Sequence, residues 1–274
     1  MNKILMNAML VAGLMTSAGA QALVIDGNLA DWGLKQTGQA SDWIPDPAIV
    51  TSAEHYTEED QTGGAGTRLF PGWGGQAYDA EALYVSIYSG SLYIALVTGL
   101  HPGTPDDPKN NSYAPGDFAI DFVDFGEKGS FEFGIQTTGA DKGKAYQVSE
   151  WHYGLWDVNG NVTKTNPDLK HPTSMKTYTQ QPVGIGSLVY TDIPFTKMGV
   201  NTSDKHYVIE AAIPLSSFSG YTGKFDVHWT MNCANDAISA DPDLTVPEPG
   251  TLALLPLGLL SLMALRRRKQ ASAA

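Results

Sequence analysis

Asp26, Asn28 and Asp31 put three side-chain oxygens into the short stretch Val24-Ile25-Asp26-Gly27-Asn28-Leu29-Ala30-Asp31-Trp32. Oxygens at such close spacing suit a hard cation such as Ca²⁺, which takes six to eight of them. Asn232, Asn235 and Asp236 form a second oxygen-rich group. The metal reading makes Asp26, Asn28, Asp31, Asn235 and Asp236 ligands of a structural Ca²⁺. A plainer chemistry accounts for the same residues: Asx-type turns, with Asp31 capping a short helical turn. Asp157-Val158-Asn159-Gly160-Asn161 has oxygens at positions 1, 3 and 5 of an EF-hand-like loop, but Val162 stands where Gly is required and Asp168 where Glu is. An Asn-Gly hairpin turn explains that stretch more simply.

Aromatic side chains offer a different chemistry. Trp151, Tyr153 and Trp156 cluster beside Glu150, Asp157 and Asn159, and Trp73 lies in Phe70-Pro71-Gly72-Trp73-Gly74-Gly75. Sugar rings present flat C–H faces that stack on indole and phenol, while acidic and amide neighbours bond the hydroxyls. Trp73, Trp151, Tyr153 and Trp156 are therefore the candidate carbohydrate-binding residues. The competing account is that an alternating strand turns half of its aromatics into the core.

Enzyme signatures do not stand out. The six histidines are dispersed, and the sequence has no H-E-x-x-H, no G-x-S-x-G and no P-loop. A carboxylate pair for glycoside hydrolysis needs to meet only in space, and nothing marks one. The expectation is a non-enzymatic protein without catalytic residues. Its rivals are a structural surface protein that binds no particular sugar and a glycan-acting enzyme. Cys233 is the single cysteine, so no internal disulfide forms, and a buried inert thiol is expected.

The elements that must position these residues read as strands. Ala82–Tyr88 and Leu92–Thr98 flank Ser89-Gly90-Ser91 and predict a β-hairpin. Phe118–Val123, Phe131–Ile135, Lys144–Tyr153 and His206–Ile213 are further strands. In Phe225–Met231 the alternation puts Phe225, Val227, Trp229 and Met231 on one face. Helix is confined to short pieces at Leu29–Trp32 and Leu215–Phe218. Residues 42–78 and 100–116 read as long loops. Several short strands with turns between them predict an all-β fold, an antiparallel jelly-roll-like β-sandwich.

Both ends of the chain read as targeting segments. Residues 1–22 have a Lys3 n-region, an apolar stretch and small residues, the layout of a secretory signal peptide. Leu252–Leu265 is apolar but short for a span, at roughly 21 Å of helix against a roughly 30 Å hydrocarbon core. Arg266, Arg267, Arg268 and Lys269 follow it as a stop-transfer block. The body between, residues 23–245, carries 12 basic against 28 acidic residues, about −16. That balance argues against nucleic acid and anionic membrane surfaces as partners.

Two resemblances extend this reading. Val246-Pro247-Glu248-Pro249-Gly250-Thr251, the apolar stretch and the basic cluster resemble the PEP-CTERM sorting signal of Gram-negative bacteria. The resemblance makes Pro247, Glu248 and Pro249 the sorting motif and residues 246–274 the sorting tail, with a short transmembrane helix. It implies exosortase as processing partner, transient insertion in the inner membrane, and a cell-surface or matrix destination among extracellular polysaccharide. The segments from Val24 to Trp32 and Tyr207-Val208-Ile209-Glu210-Ala211-Ala212-Ile213-Pro214, with Asp79 and Leu83-Tyr84-Val85 between, resemble the family 9 carbohydrate-binding module and DOMON-like sandwiches. That likeness implies polysaccharide binding and a structural calcium ion.

Overall fold

The computed structural model describes residues 23–47, 55–58, 74–122, 130–153, 171–221 and 223–242. Among these, two antiparallel sheets face each other. The smaller has the spatial order β1 (His55–Glu58), β2 (Ala80–Tyr88), β3 (Ser91–Thr98), β10 (Tyr207–Pro214), β9 (Ser187–Tyr190). The larger runs β12 (Ala237–Ala240), β11 (Phe225–Thr230), β4 (Phe118–Phe122), β5 (Phe133–Ile135), β6 (Lys144–Tyr153), β7 (Pro172–Tyr178), with β8 (Gly184–Ile185) paired to β6. The chain thus builds three strands of the small sheet, crosses to the large one, returns for β9 and β10, and finishes in β11 and β12. The expected all-β antiparallel sandwich is what forms.

Period-2 alternation makes the layers. Leu83, Val85, Ile94, Leu96 and Ile209 of the small sheet meet Phe118, Ile120, Phe122, Val227 and Trp229 of the large one in the central core. All four residues expected on the inner face of β11 and just beyond it, through Met231, are in this cluster. The outer face of the small sheet is covered by residues 23–47. Leu29, Trp32, Leu34 and Trp43 pack there on Ala82, Tyr84, Val97 and Val208. A smaller cluster of Ala119, Phe131, Val148 and Trp151 lies on the outer face of the large sheet.

Two local devices set the geometry. The β2–β3 hairpin closes through Ser89 (φ 49°) and Gly90 (φ 80°), both left-handed, as a two-residue hairpin turn of the I′ class needs. In β2 the register slips between Ala80 and Ala82, so Glu81 is the extra residue of a β-bulge. Ala80 therefore joins the central core while Ala82 faces the other way, into the outer layer.

Several expectations change. Residues 42–78 are not one loop: they hold the end of a 3₁₀ turn (Ala40–Trp43), β1, and a second 3₁₀ turn (Gln76–Tyr78). Leu29–Trp32 is a hydrogen-bonded turn rather than a helix, with Trp32 N–H bonded to Leu29 C=O at 3.2 Å. The strand expected from Phe131 starts at Phe133, because Phe131 adopts φ 49°. Among the described residues no helix is long and apolar enough to cross a membrane. The signal peptide at 1–22 and the apolar stretch Leu252–Leu265 lie outside the described residues.

Candidate functional site

The N-terminal segment Val24–Trp32 and the strand β10 are joined by one carboxylate. Glu210 sits in β10 on the outer face of the small sheet, fully buried beneath the N-terminal segment. Its Oε2 accepts the N–H groups of Asp26 (3.1 Å) and Gly27 (2.6 Å), and its Oε1 accepts the indole N–H of Trp32 (2.7 Å). Gly27 adopts φ 81°, and a Cβ there would run into the Thr191 methyl, which explains glycine at this turn. Burial pushes the Glu210 carboxyl up to about 7; the N–H donors oppose the shift and the nearby Asp31 charge adds to it. The role of Glu210 is structural: it clamps residues 26–32 onto a strand some 180 positions later.

Four of the candidate metal ligands, Asp26, Asn28, Asp31 and Asp236, accept backbone N–H groups. Asp26 Oδ1 accepts Asn28 N–H (2.8 Å), Asn28 Oδ1 accepts Ala30 N–H (3.1 Å) and Asp31 Oδ2 accepts Val24 N–H (2.6 Å). Asp236 is fully buried, and its two oxygens accept Ala80 N–H (2.6 Å) and Ala237 N–H (2.9 Å). Asn235 Oδ1 accepts the Cys233 thiol at 2.6 Å, and burial pushes that thiol up to about 12. Among the described residues no three His, Cys, Asp or Glu side chains converge as a metal-binding group. The contacts present are those of turns and strand ends.

Trp151 is not a surface platform. It is 4% exposed, donates its indole N–H to Phe131 C=O at 2.8 Å, and meets the Phe131 ring edge-on at 6.5 Å. On the alternating strand β6 it points into the outer apolar cluster, so its ring faces are covered by protein. Tyr153 is half-buried and packs against the same cluster. Trp73 and Trp156 lie outside the described residues, as do Pro247, Glu248, Pro249, Arg266, Arg267, Arg268 and Lys269 and the Asp157–Asp168 stretch.

Sequence reading missed a cavity at one end of the small sheet. It has a volume of about 520 Å³ and is bounded by residues 76–78, 99–104 and 203–207. Tyr78, His101, Asp204, Lys205 and Tyr207 contribute to its walls. The His101 and Tyr207 rings meet edge to face at 5.3 Å and 88°. Tyr78 meets Tyr113 similarly at 6.1 Å, and its hydroxyl donates to Asn111 C=O while accepting Tyr113 N–H, both at 3.2 Å.

Behind this cavity stands a buried polar chain. The bulge residue Glu81 receives the Gln76 amide (2.5 Å) and His206 Nδ1 (3.1 Å) on the same oxygen. A carboxylate oxygen accepts both protons when the imidazole carries its own on Nδ1. Glu81 and His206 are buried, and Trp43 and Phe195 hold the imidazole at 5.5 and 5.4 Å between ring centroids. Gln76 is thereby fixed at the boundary between this pair and the cavity. No local motif announces the cavity, because it takes residues from three distant parts of the chain.

Residues 245–269 match the PEP-CTERM protein-sorting motif. No curated protein and no solved structure matches the chain, so these comparisons lend no support to the family 9 and DOMON-like resemblance. The sorting motif includes Pro247, Glu248, Pro249 and the basic cluster, and it marks the protein as an exported exosortase target of the Gram-negative type, sorted at the membrane.

Proposed function

We propose that the protein is an exported, non-enzymatic β-sandwich that associates with extracellular polysaccharide at the cell surface or in the matrix. Residues 1–22 act as the signal peptide, 23–245 as the working body and 246–274 as the sorting tail that is inserted transiently and processed. The observation that carries this reading is the PEP-CTERM motif at 245–269 behind a strongly acidic all-β body. An acidic body stays solvated outside the cell and is repelled by nucleic acid and anionic lipid.

The test is retention of the full chain on exopolysaccharide from an exosortase-bearing host, and on a glycan array, with and without Ca²⁺. Retention on either is the expected result. No retention in either ion condition sinks the polysaccharide claim. One observation favours a second reading, a structural surface protein without sugar specificity: Trp151 is a core residue rather than an exposed platform. That reading predicts normal surface delivery with no glycan retained.

A further inference from the structure

The end cavity has the dimensions and lining of a small-ligand site. Its roughly 520 Å³ lies within the range of about 300–1,000 Å³ typical of such pockets. Its aromatic walls are set before any ligand arrives, because His101 braces Tyr207 and the backbone at 111–113 holds the Tyr78 hydroxyl. Rings fixed in this way lose little freedom on binding. Gly99 belongs to the same construction. Any Cβ there would run into the Gln76 carbonyl, so the two segments meet backbone to backbone.

Its polar groups match hydroxyls. The Gln76 amide nitrogen is occupied by Glu81, while its Oε1 is buried and has no hydrogen-bond partner among the described residues. That oxygen is closed off from the cavity, so the hydroxyl partners are Asp204, Lys205 and His101. Asp204 offers a carboxylate and Lys205 an ammonium, an acceptor and a donor on adjacent residues. His101 Nδ1 accepts Gly103 N–H at 2.9 Å, which places the imidazole proton on Nε2 as a further donor. The opposed charges of Asp204 and Lys205 cancel within the cavity, and the chain as a whole carries −12. An anionic ligand is therefore disfavoured.

We propose that this cavity binds one neutral hexopyranose unit of a polysaccharide, with a C–H face against Tyr78 and hydroxyls on Asp204, Lys205 and His101. This rests on the polysaccharide reading above and assigns it a place. It moves the sugar contact from the tryptophans to the end of the small sheet.

Saturation-transfer NMR on the full chain tests it, with glucose, galactose, mannose and glucuronate as probes. At least one neutral hexose is expected to bind, with glucuronate weaker. Asp204→Ala is expected to weaken that binding by about tenfold or more, the scale of one hydrogen bond to a charged group, with the melting curve unchanged. Tyr78→Ala is expected to abolish it, and Tyr78→Phe to keep it. Binding of no neutral hexose, preferred binding of glucuronate, or equal binding by wild type and Asp204→Ala overturns the proposal. The exopolysaccharide retention assay, run on the same variants, separates the two claims. Retention by wild type and Asp204→Ala alike removes the cavity and leaves the polysaccharide reading standing. Cavity-dependent hexose binding without polymer retention does the reverse.

Discussion

Asp42 and Glu210 are both buried in the layer that covers the small sheet, yet their carboxyls shift in opposite directions. Burial raises both. At Asp42 it is outweighed by four donors: the Thr37 hydroxyl at 2.5 Å and the N–H groups of Thr37, Gly38 and Gln39 at 2.8, 2.7 and 3.0 Å. Its carboxyl is held below the ordinary range. Glu210 has three donors, and Asp31 adds a like charge nearby, so burial wins. One side chain closes a loop as a fixed anion. The other clamps a segment while staying close to protonation at neutral pH.

The comparison can be broken most severely at Trp32, fully buried and one of the Glu210 donors. Trp32→Ala is expected to cost about 3–5 kcal/mol in urea unfolding, as truncation of a large buried aromatic does. A loss below 1 kcal/mol would mean that residues 23–47 are not cooperatively docked. Asp42→Ala should cost about 1–3 kcal/mol, because it orphans several donors in one loop. Asp42→Asn, which keeps one acceptor oxygen, should recover part of that loss.

Acid and base should then separate the two carboxyls. A group raised on folding contributes stability that is complete below its unfolded value and is lost as pH rises through the folded one. For Glu210 that window runs from 4.5 to about 7. Asp117, raised to about 6 from 3.8 by burial, which outweighs the lowering by the Met175 and Thr137 N–H groups, adds loss in the same direction. Asp42, lowered from 3.8, contributes above that value and loses its contribution as pH falls through its folded one. The thermal midpoint of the wild type is expected to fall between pH 5 and pH 8, and Glu210→Gln to flatten the slope. An unchanged slope in that variant would assign the effect elsewhere. The smallest effect is expected at Ile193, 79% exposed: Ile193→Ser should stay within about 0.5 kcal/mol of wild type.

Strands with strong alternation were readable in advance, and the β2–β3 hairpin, β6 and β11 fall where the pattern puts them. β1, β7, β8, β9 and β12 were not foreseen. β1, β8, β9 and β12 have four residues or fewer, and Pro172 and Gly184 within β7 and β8 weaken any strand signal. Glu210 was visible as a lone charge in an apolar strand, but its partners lie some 180 residues away. Trp151 illustrates the other limit. Its strand was correctly placed, yet the outer face of the large sheet has its own apolar cluster, so facing away from the central core did not mean facing water. The Glu81 bulge shifts the inside–outside phase of β2 by one residue, and simple alternation carries no mark of it.

The pairing at the end of the sandwich also limits distance. Phe225 N–H bonds to Pro242 C=O at 3.2 Å, so the chain is still held to the sheet edge at residue 242. Four residues lie between Pro242 and Pro247, so five Cα-to-Cα steps separate them. Even fully stretched, at about 3.6 Å each, they reach roughly 18 Å. An enzyme acting at the Pro-Glu-Pro must therefore reach within roughly 18 Å of the sheet edge, or work with the last strand peeled away.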